Sequence, residues 1–140
     1  SKIGLAGVRL GYIFGAPDWI NEIDKVRGPF NVGVLQQVAA EVLLDHYDEL
    51  QRHAKLMVAE RERLFAALSA MPGVTPFPSA ANFVLARFAN AAAVFDALKA
   101  RGILVRNLSA MHPLMAGTLR ISVGTGPEMD ALLAALREIL

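Results

Sequence analysis

VTPFPSAANFVLARFANAAAVFDALKARGILVR (residues 74–106) and TLRISVGTGPEMDALLAALREIL (118–140) decide how this chain folds. Val74–Phe77 and Asn82–Phe88 are rich in β-branched and aromatic residues and read as two strands, separated by Pro78 and small residues. Ala91–Ala100 puts Val94, Phe95 and Leu98 on one side of a helix, and Arg101-Gly102 ends it. Ile103–Arg106 reads as a third strand, Asn107–Gly117 as a loop and Thr118–Val123 as a fourth strand. Thr125-Gly126-Pro127-Glu128 has the Thr-x-x-Glu form of a capping box, in which the two end residues satisfy each other's backbone donors. It opens a last helix with Met129, Leu132, Leu133, Leu136 and Ile139 at helical spacing. Strand, strand, helix, strand, strand, helix predicts an α/β unit: a small sheet backed by helices on one face.

Outward from this unit the rhythm changes. Pro72-Gly73 stops a helical region over 32–71, with a break or bend at Asp45–Glu49. Leu50, Ala54, Met57, Leu64, Leu68 and Met71 fall near one face, and Lys55 and Glu60–Arg63 form a solvated one. A helix of that length suits a link between two domains. Further back, Pro17-Asp18 opens a helix with Trp19, Ile20, Ile23 and Val26 on one side, ended by Gly28-Pro29. Gly4, Gly7, Gly11 and Gly15 exclude a helix before it, and Val8–Phe14 reads as a short buried strand. Residues 1–28 therefore read as the edge of a different domain, 29–71 as a helical linking region, and 72–140 as the α/β domain. The first residue is Ser, which suits a fragment or a processed chain.

Composition narrows the function. Lys plus Arg number 14 against 13 Asp plus Glu, a balance with no general pull on nucleic acid or an anionic membrane. Cysteine is absent, which removes disulfides, thiolate nucleophiles and Cys-based metal sites. No apolar run reaches the length of a membrane span. His46 and His53 stand two helical turns apart, too far for one metal ion without a third ligand. His112 reads as a surface-loop residue. Ser79 and Ser109 lack a paired His–Asp pattern, and no Gly-x-x-x-x-Gly-Lys-Ser/Thr loop exists. Leu108, Met111, Leu114 and Met115 make the loop before the fourth strand apolar, fit to cap a site or pack on a partner.

Four basic residues are left with chemistry to explain. Lys2, near Gly4 and Gly7, has an amine able to condense with an aldehyde cofactor, and the glycines allow close backbone approach. Arg9 is a short step away, and a guanidinium fork grips phosphate through parallel hydrogen bonds. Arg120 stands on an otherwise apolar strand, where a buried guanidinium needs either an internal acid or an anionic ligand. Arg106 closes the third strand.

Ser-Lys-x-Gly-Leu-Ala-Gly-x-Arg-x-Gly-Tyr over Ser1–Tyr12 is similar to the cofactor-lysine segment of fold-type I aminotransferases, and within them most to the histidinol-phosphate aminotransferases. Pro78–Leu85, Gly102–Asn107 and Thr118–Thr125 resemble three further stretches of that family, in family order. The resemblance implies the C-terminal portion of such an enzyme: a small, mainly antiparallel sheet backed by helices, preceded by a linking helix and a remnant of the large domain. It implies pyridoxal 5'-phosphate as cofactor, carried covalently by Lys2, with Arg9 and Ser1 on its phosphate. It assigns Arg120 to a substrate carboxylate, Arg106 to a substrate phosphate and Asn82 to the substrate site. Lys2 and Arg9 are seven residues apart, one fewer than in many members, so the loop between them takes its own path.

The activity implied is transfer of an amino group between histidinol phosphate and 2-oxoglutarate in histidine biosynthesis, by a cytoplasmic homodimer with small-molecule substrates. The chain alone is expected to be inactive, because the family's pyridine-nitrogen partner and ring-stacking aromatic lie ahead of the lysine. Aromatic-amino-acid aminotransferases and phosphothreonine decarboxylases share much of the pattern. A non-enzymatic α/β binding or oligomerisation module is the alternative of another class, and it predicts no preference for phosphate or carboxylate.

Overall fold

The computed structural model describes residues 6–140. It divides into two compact units, Ser1–Ala54 and Lys55–Leu140, whose boundary falls within one helix.

In the first unit a 3-10 turn, Ala6–Val8, is followed by extended chain and by helices α1 (Pro17–Val26) and α2 (Val34–Asp45). Proline in the first turn of α1 gives up a backbone N–H that has no helical acceptor there. Asp18 and Lys25 sit at the ends that the helix dipole favours for each sign. The expected break around Asp45–Glu49 is sharp. His46 leaves helical geometry, and its carbonyl accepts from Glu49 and Leu50 to start α3 (Tyr47–Ser69). The strand expected over Val8–Phe14 is absent. Val8 ends the 3-10 turn, Arg9 takes a left-handed φ of 56°, and no described segment pairs with residues 10–14. Without a neighbour to complete its ladder, β propensity alone does not hold a strand. Among described residues 7–54 no side chain is buried.

The second unit has a packed core. Its strands β1 (Val74–Pro76), β2 (Phe83–Phe88), β3 (Arg106–Asn107) and β4 (Thr118–Ser122) form one sheet in the order β1-β2-β4-β3, antiparallel throughout. Val84, Ala86 and Phe88 of β2 and Leu119 and Ile121 of β4 point to one face. There they meet Leu64 and Leu68 of α3, Val94 and Leu98 of α4 (Ala91–Ala100), and Met129, Leu132, Leu133 and Leu136 of α5 (Gly126–Ile139). Helices on one face of a small sheet is the layer arrangement expected from the element order.

Local signals set the ends. The Asn90 side chain accepts from Ala93 N–H at 3.2 Å and starts α4. Gly102, at φ +76°, ends α4, with its own N–H on Lys99 O and the Ile103 N–H on Leu98 O. The capping box of α5 forms, with Thr125 N–H and Oγ1 donating to one Glu128 carboxylate oxygen at 2.7 and 2.8 Å. The third strand departs from expectation. Ile103–Val105 run beside β4 without pairing, and the ladder holds only Arg106 and Asn107. A cleft of about 340 Å³ opens there, between Gly102–Val105 and Ile121–Gly124, floored by Met129 and Leu132 of α5.

Candidate functional site

Alternation along β2 and β4 puts Phe83, Leu85 and Arg87 with Thr118, Arg120 and Ser122 on the face away from the helices. Arg106 is the direct antiparallel partner of Arg120 in β3, so their side chains leave the sheet on this same face. Directly opposed residues place their Cβ atoms about 5 Å apart, and like charges there repel. Among the described residues no ion pair involves Arg87, Arg106 or Arg120.

Arg120 is half-buried, and its guanidinium lies over the Phe83 ring, 5.3 Å from the centroid. The ring's negative face offsets part of the charge. Its Nε is sealed from solvent and has no hydrogen-bond partner among the described residues. A buried donor of that kind, on a cation, costs free energy until an acceptor arrives. Among the described residues no carboxylate pairs with Arg120, so its Nε is open to an anionic acceptor. Arg106 is exposed at the edge of the sheet, where it can swing to the same ligand.

The other candidates lie apart. Asn82 precedes β2; its carbonyl accepts from Val123 N–H at 2.9 Å and its side chain is exposed. The turn before it is fixed by Ser79, whose hydroxyl donates to Phe83 O at 2.6 Å and accepts from Ala81 N–H at 3.1 Å. That explains Ser79 without any catalytic role. Arg9 belongs to the first unit, exposed and without an ion-pair partner among the described residues. Lys2 and Ser1 lie outside the described residues. The cleft beside β4 contains none of the arginines, and its one carboxylate, Glu128, is already committed to Thr125.

Two residues of this face, Phe83 and Arg87, are not among the candidate site residues of the sequence. The alternation that buries Val84, Ala86 and Phe88 is the signal that finds them, because it sends their odd-numbered neighbours to the arginine side. The histidines are spoken for locally. His53 meets Glu49 at 3.1 Å, His46 caps α2, and Nδ1 of His112 accepts from Leu114 N–H at 3.2 Å. Among the described residues no cluster of three or more His, Asp or Glu is placed to hold a metal ion, and no helix is long and apolar enough to cross a membrane.

Comparison with known proteins extends the picture. The sequence profile described as aminotransferase class I and II matches residues 2–136. The histidinol-phosphate aminotransferase of Methylibium petroleiphilum is 56% identical over the whole of this chain, which spans 38% of that relative's length. Among solved structures, histidinol-phosphate aminotransferase from Sinorhizobium meliloti, in complex with pyridoxal-5'-phosphate, is 31% identical with a TM-score of 0.80. It matches 99% of this chain and 38% of its own. A decarboxylase from Sulfurospirillum multivorans is 28% identical with a TM-score of 0.78, over 98% of this chain and 40% of its own.

Proposed function

The chain belongs to the class I and II aminotransferases, and on that premise we propose that it is the C-terminal share of a histidinol-phosphate aminotransferase. The observation that carries this reading is the opposed pair Arg106 and Arg120, with a buried Nε that lacks an acceptor. A phosphorylated amino alcohol and a 2-oxo acid both offer anionic oxygens to such a pair. Arg120, packed on Phe83, supplies the fixed fork for a carboxylate or the equivalent end of the substrate. Arg106, at the exposed edge, takes the phosphate that distinguishes histidinol phosphate from ordinary amino acids. Asn82 is the third substrate residue of the reading, with an exposed side chain free to bind.

The cofactor implied is pyridoxal phosphate, which when bound supplies the electron sink for amino-group chemistry. The described part of its site fits. Arg9 has no ion pair among the described residues, and nothing lies within 4 Å of where a Cβ would stand at Gly7 or Gly11. An unpaired guanidinium beside open glycines suits a bulky phosphate ester. In this reading Lys2 Nζ holds the cofactor and moves the substrate proton, and Ser1 joins Arg9 on the phosphate. Division of the chain into a large-domain remnant (1–28), a linking region (29–71) and a small domain (72–140) belongs to the same proposal. So do a homodimer, for which the exposed apolar side chains of α1 and α2 offer surface, and a cytoplasmic place with the rest of histidine synthesis.

The chain spans 38% of its relative, so turnover is proposed for the longer protein and not for these 140 residues alone. A transamination assay with histidinol phosphate and 2-oxoglutarate tests this. The longer protein turns over and loses activity with Lys2→Ala, and the isolated chain does not turn over. Turnover by the isolated chain overturns its proposed inactivity, full activity after Lys2→Ala overturns the role of Lys2, and absence of transamination by the longer protein overturns the assignment. The likeness to a decarboxylase gives a second reading, a phosphoamino-acid decarboxylase, supported by the same arginine pair. Carbon dioxide release from phosphothreonine in place of amino transfer would select it.

A further inference from the structure

Arg87 projects from β2 on the arginine face, and its guanidinium is spent on backbone. Nε donates to Ala116 O at 3.1 Å, Nη2 donates to Leu114 O at 2.8 Å, and the group lies 5.5 Å from the centroid of the Phe77 ring. Both carbonyls belong to the returning leg of the loop that joins β3 to β4. That leg is held at two more points. Phe88 N–H donates to Gly117 O at 2.9 Å, and Thr118 Oγ1 donates to Met115 O at 2.7 Å. Gly117, at φ +72°, is needed for the approach, since a Cβ there would stand 3.2 Å from Phe88 O. The outgoing leg is held across the sheet only at its start, where the N–H of buried Leu108 donates to Thr118 O at 3.0 Å; beyond that it has local turns, Ser109 N–H on Asn107 Oδ1 and Met111 N–H on Leu108 O.

The strand this loop closes is two residues long. With the Leu108 N–H bond to Thr118 O this remains a short ladder, and it holds Arg106 in register against the repulsion of Arg120. The closing loop adds to that hold on Arg106.

We propose that Arg87 is a positioning residue: by pinning Leu114 and Ala116 it keeps the β3–β4 loop closed and Arg106 opposite Arg120, so that both guanidinium groups are placed for the anionic groups of one ligand. Arg87 acts through the loop in this reading: its Nε and Nη2 are engaged by Ala116 O and Leu114 O. The inference rests on the reading of Arg106 and Arg120 as an anion-binding pair.

The test is a titration of the 140-residue chain with inorganic phosphate, followed by amide NMR shifts. It is run in high salt, so that the loss of a nearby positive charge is screened. The unsubstituted chain binds, with shifts at Arg106 and Arg120. Arg87→Met leaves the α4 and α5 signals in place, exposes the Ala116 and Gly117 amides to exchange, and weakens phosphate binding about tenfold through lost preorganisation. Arg87→Lys keeps the charge but has a single donor nitrogen in place of the Nε/Nη2 fork, and recovers part of that affinity. A variant needed only for stability would lower the melting temperature and leave phosphate affinity unchanged. That result with Arg87→Met overturns the proposal, as does full recovery of affinity by Arg87→Lys without reprotection of the loop. Should Arg87→Met fail to fold, Arg87→Lys decides alone, since an affinity equal to the unsubstituted chain's then counts against positioning. Arg120→Gln separates the underlying reading. Phosphate binding that survives it, or its absence in the unsubstituted chain, overturns the anion pair and this inference with it.

Discussion

Leu64 and Leu68 are sealed from solvent, each at 0% exposure, while Val38 and Val42 repeat at the same helical spacing and stay 50% and 52% exposed. The contrast holds across the two units. Lys55–Leu140 buries its apolar side chains between a sheet and three helices. Ser1–Ala54 has helices of good local grammar, yet Trp19, Val26, Phe30 and Leu35 remain 72% to 99% exposed. An apolar stripe states which side of a helix wants to be buried. Burial itself needs a second surface of matching shape, and only the later unit carries both surfaces within its own chain.

The sharpest way to break this comparison is to cut a side chain in each region. Leu136→Ala, at a fully buried site, should cost about 2–5 kcal/mol in denaturant unfolding, from lost transfer energy and the cavity left behind. An effect below about 1 kcal/mol would mean that the core of the second unit is not the stabilising element. Gly117→Ala comes next. A left-handed φ and a 3.2 Å approach to Phe88 O predict a loss of about 1–2 kcal/mol and a loosened β3–β4 loop, measured by melting temperature and amide exchange.

The cap of α5 sharpens the comparison by pH. The Thr125 backbone N–H, then its hydroxyl, hold the Glu128 carboxyl below the usual glutamate range. A lowered folded value means that the stabilisation is complete above the ordinary glutamate range of about pH 4–5 and is lost as pH falls through the folded value. Glu128→Gln should therefore flatten the acid limb of the stability curve of the second unit. Thr125→Ala should cost about 1 kcal/mol near neutral pH, the usual worth of an N-cap. A steeper acid limb in the Gln variant would reverse the assignment. Smallest of all, Leu35→Ala in α2 should change stability by no more than about 0.5 kcal/mol in this chain, because its 83% exposed side chain has little packing to lose. A large loss by the same denaturant measurement would show that α2 is covered in solution.

Much of the second unit was legible. Periodicity gave α4 and α5, Thr125 and Glu128 gave the cap, and Gly102 gave the stop, all effects that act within a few residues. Arg120 drew attention because a charge on an apolar strand asks for a partner. Where strands met was less legible. Ile103–Arg106 has the residues of a strand, but pairing with β4 begins only at Arg106, since ladder bonds depend on a neighbour's position as well as on local preference. Val8–Phe14 failed for the same reason taken further, having no described neighbour at all. Arg87 reads as a plain strand residue, because its acceptors, Leu114 and Ala116, stand 27 and 29 residues downstream.

By itself the sequence determined the helices, their caps and stops, the order of elements and the family, because these follow from short-range sterics, hydrogen bonds and motif. Only the tertiary structure decided that Arg106 faces Arg120, that Phe83 lies beneath one and that Arg87 holds the loop beside them. Register across a sheet joins residues far apart in the chain, and it is fixed by the packing of the whole unit and by no single segment.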